Sequence, residues 1–218
     1  MIRLPLILAL ALLAPSAAPA QISHAGMYRA KAGPDVASAL ELAPDGRFRY
    51  MHSEGALDEQ ASGRWSVVDD GLQLDTLPHP RAPEWRIEKI EESKAGPLSV
   101  TVKVPGGDNI QGIYLRVGFT NGDRAAGSTA LEGWSLAPDD SRQPAWIEFS
   151  EPIHGISSPR FELPPQHGMA VSILLVPNEI GIAAFDKTKV SITREGIMLH
   201  WRGRDIPYAR VGNARSGR

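Results

Sequence analysis

The chain has 218 residues, with 23 Lys+Arg against 25 Asp+Glu, a formal net charge of -2 and no cysteine. Such a balance offers no clustered basic face for nucleic acid. The missing thiol removes disulfides, thiolate metal sites, cysteine nucleophiles and a lipid-modified cysteine terminus, so the chain is not read as a lipoprotein.

Met1-Ile2-Arg3 carries one basic side chain and is followed by the apolar run Leu4 to Leu13 and then by Ala14-Pro15-Ser16-Ala17-Ala18-Pro19-Ala20. This is the order of a secretory signal, with Ala18-Pro19-Ala20 matching a small-residue cleavage site. Residues 1–20 are therefore expected to be removed near Ala20, leaving a periplasmic or secreted protein. The run is shorter than the ~20 residues that cross a bilayer, and no later stretch replaces it, so no membrane span is expected.

With 18 Pro and 21 Gly punctuating short apolar runs, the expected class is all-β: an antiparallel meander barrel with a second, sandwich-like β part and little helix. Val36 to Leu42 is the one stretch that could start as a helical turn. Ala39-Leu40-Glu41-Leu42 and Arg47-Phe48-Arg49-Tyr50-Met51 flank Pro44-Asp45-Gly46. Gly63 to Val67 and Leu72-Gln73-Leu74 flank Asp69-Asp70-Gly71, so Asp-Gly supplies turn chemistry twice. Trp85 to Ile90 follows as a strand. Leu98 to Val104 and Gln111 to Phe119 alternate cleanly, joined by Pro105-Gly106-Gly107-Asp108-Asn109. Val171 to Val176, Lys189 to Thr193, Ile197 to Trp201 and Ile206 to Arg210 complete the strands.

The parts expected are a barrel portion over 21–97, a sandwich-like portion over 98–187, a closing hairpin over 188–211 and a disordered tail over 212–218. The closing hairpin can complete the barrel, which would make the middle portion an insertion.

The run Leu40-Glu41-Leu42-Ala43-Pro44-Asp45-Gly46-Arg47-Phe48-Arg49-Tyr50, then Gly63-Arg64-Trp65 and Leu72-Gln73-Leu74, resembles the meanders of exported bacterial lipocalin-like barrels. The cysteines of their copper-linked members are absent, so no metal role is carried over. From Val100 to Trp134 the order of strand, Gly-rich turn, Gln111-Gly112-Ile113, Asn121-Gly122, Gly127-Ser128-Thr129 and Gly133-Trp134 is similar to transthyretin-like modules appended to carboxypeptidases. That likeness implies an accessory binding or structural part.

Candidate chemistry is sparse. Six His occur, none at a metal-ligand spacing, and no cofactor is expected. His52, Glu54, Asp58 and Glu59 fall in what reads as a charged loop between two strands, and His79 sits between Pro78 and Pro80 in another. Loops on rigid β scaffolds carry function, but a solvated loop explains the first set as well. Arg47 and Arg49 share a face opposite Phe48 and Tyr50 and are expected outside. Phe48, Tyr50, Trp65 and Trp85 can line a ligand cavity or simply fill a core. Nucleophile motifs are missing, and neither Ser157-Ser158-Pro159 nor Ser191 has a signature around it. The function expected is non-catalytic: an exported β protein binding a small apolar ligand or an envelope protein. A structural or assembly factor of the envelope is one alternative, and a hydrolase using the loop His and carboxylates is another.

Overall fold

The computed structural model describes residues 24–94 and 96–212, so the leader expected over 1–20 and, Gly212 apart, the tail expected over 212–218 lie outside the described residues. Five strands open the fold: β1 (Gly26–Ala30), β2 (Val36–Leu42), β3 (Arg47–Glu54), β4 (Leu57–Val68) and β5 (Gly71–Thr76). They pair antiparallel in sequence order. Period-two alternation decides their facing. Leu40 and Leu42, Phe48 and Tyr50, Ala61 and Trp65, and Leu72 and Leu74 are buried, while Arg47 and Arg49 are exposed on the other face. Val36–Leu42, where a helical turn could have started, is strand throughout. Its buried residues recur at two and not at three or four, and neighbours on both edges take its backbone groups.

Nine strands follow: β6 (Glu84–Glu92), β7 (Leu98–Lys103), β8 (Tyr114–Phe119), β9 (Arg124–Ser128), β10 (Trp134–Ser135), β11 (Pro144–Glu151), β12 (Ile156–Ser157), β13 (Phe161–Glu162) and β14 (Met169–Val176). One sheet runs β10-β7-β14-β6, and the other runs β12-β11-β8-β9 with β13 beside β11. Inward residues of both, among them Val100, Val102, Leu115, Val117, Ile147 and Ile173, share one apolar cluster. Three details depart from expectation. β6 pairs with β14 and so belongs to this second group, although a boundary near residue 97 would put it with the barrel. Pro105–Asn109 does not pair β7 with β8: the chain turns back along the end of β7, with Gly107 N–H donating to Val104 O at 3.1 Å, Lys103 bridged to Asn109 and Ile110 N–H donating to Val102 O at 2.8 Å, but β8 then lies in the other sheet. β7 and β14 run parallel, which their separation in sequence permits and a meander does not.

The chain then returns as β15 (Thr188–Ile192), β16 (Gly196–Trp201) and β17 (Arg204–Arg210). These close an antiparallel barrel of eight strands in the order β1-β17-β16-β15-β5-β4-β3-β2. Closure leaves no free edge among them. The ladder is tight: a Cβ on Gly63 would stand 2.0 Å from Asp75 O, so a side chain there collides with backbone.

The returning segment also fills the barrel. Phe185 precedes β15, lies outside any strand and is fully buried. Its ring meets Phe48 at 5.8 Å, Tyr50 edge-on at 5.0 Å and Trp201 edge-on at 4.8 Å between centroids. Thr76 holds it there. Thr76 N–H donates to Phe185 O at 2.8 Å, Phe185 N–H to Thr76 Oγ1 at 3.0 Å, and Thr76 Oγ1–H to Ala183 O at 2.7 Å. Phe185→Ala should therefore cost about 3–5 kcal/mol in urea unfolding, since the close-packed surroundings relax only in part around the missing ring. A loss below about 1 kcal/mol would contradict a filling role.

Candidate functional site

Most of the candidate residues singled out from the sequence border one of two concave regions, one at a barrel mouth and one on the outer wall. The mouth is built by a hairpin that the sequence suggests as a loop. His52–Gln60 is not a loop: β3 and β4 continue to Glu54 and from Leu57, leaving Gly55-Ala56 as the turn. Gly55 takes φ 60 at the first central position, where a two-residue hairpin of this type requires glycine. In this register His52 lies opposite Glu59 and Ser53 opposite Asp58. Alternation then turns His52 and Glu59 inward, both buried, and Asp58 outward, exposed.

Burying these groups demands partners. Arg202 supplies one, its guanidinium lying 2.8 Å from Glu59, whose side chain is 4% exposed. It sits at φ 51, followed by Gly203 at φ 71, in the turn between β16 and β17. That turn favours Asn, Asp or Gly at its first position, so an arginine held there bears a backbone cost. Glu54 lies 3.4 Å from His52 Nε2 and 3.5 Å from Arg204. Together with Trp201 and Leu57 these residues bound a recess of about 110 Å³. His52 Nδ1 and Trp201 Nε1 are buried there without a hydrogen-bond partner. Deeper in, Ser38 Oγ–H donates to Met51 O at 3.0 Å and Tyr208 O–H to Ser38 Oγ at 2.6 Å.

Burial pushes the Tyr50 phenol far above the ordinary tyrosine range, reinforced by Tyr208 and Glu59 and opposed by Ser38 and Arg202. Burial likewise raises Tyr208, against hydrogen bonds from Ser38 and Tyr50.

The second region is a groove of about 970 Å³ outside the barrel. Its floor is the outward face of β1–β4, including Met27, Ala39, Met51 and Gln60, and its far wall is Leu77 to Arg81 with Glu179 and Ile182. The wall is tied to the barrel. Gln60 N–H donates to Gly181 O, and Ala183 N–H to Gln60 O, each at 2.9 Å. At one end the Arg81 guanidinium pairs with Glu179 at 3.0 Å. Met27, Met51 and Leu77 remain 39%, 57% and 51% exposed.

The sequence candidates thus divide. His52, Glu54 and Glu59 meet at the mouth; His79 lines the outer groove, which Tyr50 borders; Asp58 lines neither. Phe48 and Trp65 are core, with Trp65 Nε1–H donating to Ala43 O at 2.9 Å. Trp85 is not with them at all. It stacks on Phe149 at 5.7 Å in the sandwich, because β6 belongs to that sheet. Arg202, Arg204, Met27 and Met51 were missed by sequence reasoning. The spacing Trp201-Arg202-Gly203-Arg204 does carry a turn signal, but nothing local says where its arginines reach. Among the described residues no group of three His, Asp or Glu is placed to hold a metal ion, and no helix is long and apolar enough to cross a membrane. Compared with known proteins, the chain matches no family model, no curated protein and no solved structure.

Two outcomes test the mouth. Arg202→Ala keeps the same backbone turn but strands the Glu59 carboxylate. Unfolding free energy should fall by about 1–3 kcal/mol, less than for a fully buried pair because Arg202 is half exposed. Adding Glu59→Gln should restore part of the loss. The tyrosines act on the alkaline side. Their folded values lie above the unfolded one, so the stability they contribute is intact below about pH 10 and declines as pH rises beyond it. Denaturation followed at increasing alkaline pH should show this decline, and Tyr50→Phe should flatten it.

Proposed function

We propose that the chain is an exported protein, periplasmic or secreted, that binds a small apolar ligand in the groove on the outer wall of its barrel. The groove itself is the observation that carries this reading: at about 970 Å³ it falls in the size range of small-molecule sites, and its apolar surface is left open. A contiguous apolar lining with a few charged groups at the margin is the usual composition of such sites. Met27 and Met51 suit a ligand of variable shape, since the unbranched thioether side chain adapts its packing. Arg49, Glu41 and the Arg81–Glu179 pair mark polar ends at which a ligand headgroup would be oriented.

The finer likenesses belong to the same reading. A lipocalin-like barrel carrying a transthyretin-like sandwich would be an accessory or carrier architecture. In that family picture the ligand enters the barrel, but here Phe185 and its neighbours occupy the interior, and the mouth recess of about 110 Å³ is small and lined with charges. A filled interior favours a ligand bound outside. The supporting resemblance covers the meander Leu40 to Leu74 and the stretch Val100 to Trp134.

Fluorescence titration of residues 21–218 with N-phenyl-1-naphthylamine tests the site. Met51→Asp puts a charge on the groove floor and removes a contact of roughly 1.5–3 kcal/mol, so affinity should drop about 10–100-fold. The melting temperature should barely move, because the side chain is exposed. Unchanged probe binding in Met51→Asp, or none in the parent protein, would sink the proposal.

A further inference from the structure

Across the barrel from the groove, the closing strands bring together three residues that are apart in sequence. Val190, Leu199 and Tyr208 fill the interior from β15, β16 and β17, so Ser191, His200 and Asp205 project from the outer wall. His200 lies directly opposite Asp205, and Ser191, opposite Met198, is its diagonal neighbour on the other side. The three side chains form a continuous hydrogen-bonded row. Ser191 Oγ is 2.7 Å from His200 Nε2, and His200 Nδ1 is 2.6 Å from Asp205 Oδ1.

The chemistry of the groups fixes the direction of this row. A carboxylate only accepts, so Nδ1 carries the proton and donates it to Asp205. The neutral ring then has its lone pair on Nε2, and Ser191 must donate to it. That is the arrangement of a serine nucleophile, a general base and a group that holds the base in the correct tautomer. The imidazole is 33% exposed, shielded enough to be held in place yet accessible from solvent. Lys189, on the same face of β15, is engaged by Asp70, and Gln73 of β5 by Asp75 at 3.0 Å, so neither competes for the row.

We propose that Ser191 is a nucleophile activated by His200 and positioned through Asp205, and that it hydrolyses small activated carboxylic esters. The row stands on an open wall, so an ester with a short acyl chain reaches it from solvent without entering a cavity. Ser191 Oγ bonds to the carbonyl carbon while its proton passes to His200 Nε2. The tetrahedral intermediate collapses, the bond to the leaving oxygen breaks, and that oxygen takes the proton from Nε2. Water then attacks the acyl-serine, giving its proton to His200 Nε2; the bond from the acyl carbon to Ser191 Oγ breaks, Oγ takes that proton back, and the carboxylic acid leaves. This activity is independent of ligand binding in the groove.

The test uses residues 21–218, p-nitrophenyl acetate as substrate and a fluorophosphonate as covalent probe. The probe should add one equivalent, with the Ser191 oxygen bonding to phosphorus as fluoride leaves, and peptide mapping should place it on Ser191. Ser191→Ala should abolish turnover above background. His200→Ala should lower kcat about 100-fold, with partial recovery on adding free imidazole beyond the imidazole-driven rate seen with Ser191→Ala, which a merely structural histidine would not show. Asp205→Asn should reduce turnover and Asp205→Glu should retain most of it. Labelling at another residue, no labelling, or Ser191→Ala turning over like the parent would overturn the assignment. The adduct is read on the unmutated protein, so misfolding of a variant cannot mask the answer.

Discussion

The barrel depends on Phe185. Eight strands make a closed ladder, but a ladder alone does not choose between a hollow cup and a solid core. A ring delivered from outside the strands and held by Thr76 makes the choice, meeting Phe48, Tyr50 and Trp201 at once. Once the interior is occupied, polar groups at the barrel end must find partners at the rim. Hence Glu59 reaches Arg202, and the larger concave region lies on the outer wall. The interior, the mouth and the groove are three results of one packing decision.

Arg202 shows the complementary economy of the polar end. The tight turn between β16 and β17 would be more relaxed with Asn or Gly at that position. Keeping an arginine there sets its guanidinium over an otherwise buried carboxylate, and Glu54 and Arg204 extend the charge network outward. Local strain and the desolvation of Glu59 are each unfavourable alone. Together they fix the hairpins at the mouth relative to one another.

How legible this was in the sequence depended on range. Alternation and Asp-Gly turns reveal the strands around Leu40, Phe48, Trp65 and Leu72, since period and turn chemistry are local. The all-β class and a barrel follow from them. The helical option at Val36–Leu42 and the loop over His52–Gln60 failed for one reason: polar residues such as Ser38, His52 and Glu59 sit at inward positions, so hydrophobicity hides the strand period. Chain order groups Trp85 with the barrel aromatics, whereas its strand pairs with β14 some eighty residues later. Ser191, His200 and Asp205 left no motif because two hairpins, not a spacing, bring them together. Phe185 could not be read at all; nothing in Ala183-Ala184-Phe185-Asp186 distinguishes a plug from a linker.

The closed ladder also orders events in time. β5 ends at Thr76 and its partner β15 begins at Thr188, so the chain must produce both sandwich sheets before the barrel can shut. Until then β1 and β5 are bare edges able to pair with another molecule. The equilibrium cost of so long a connection is modest, because loop entropy grows only with the logarithm of length. The kinetic cost is larger, since such remote pairings form late. A chain built this way spends its vulnerable interval as a half-finished meander, and any chaperone that attends it has β1 and β5 to guard.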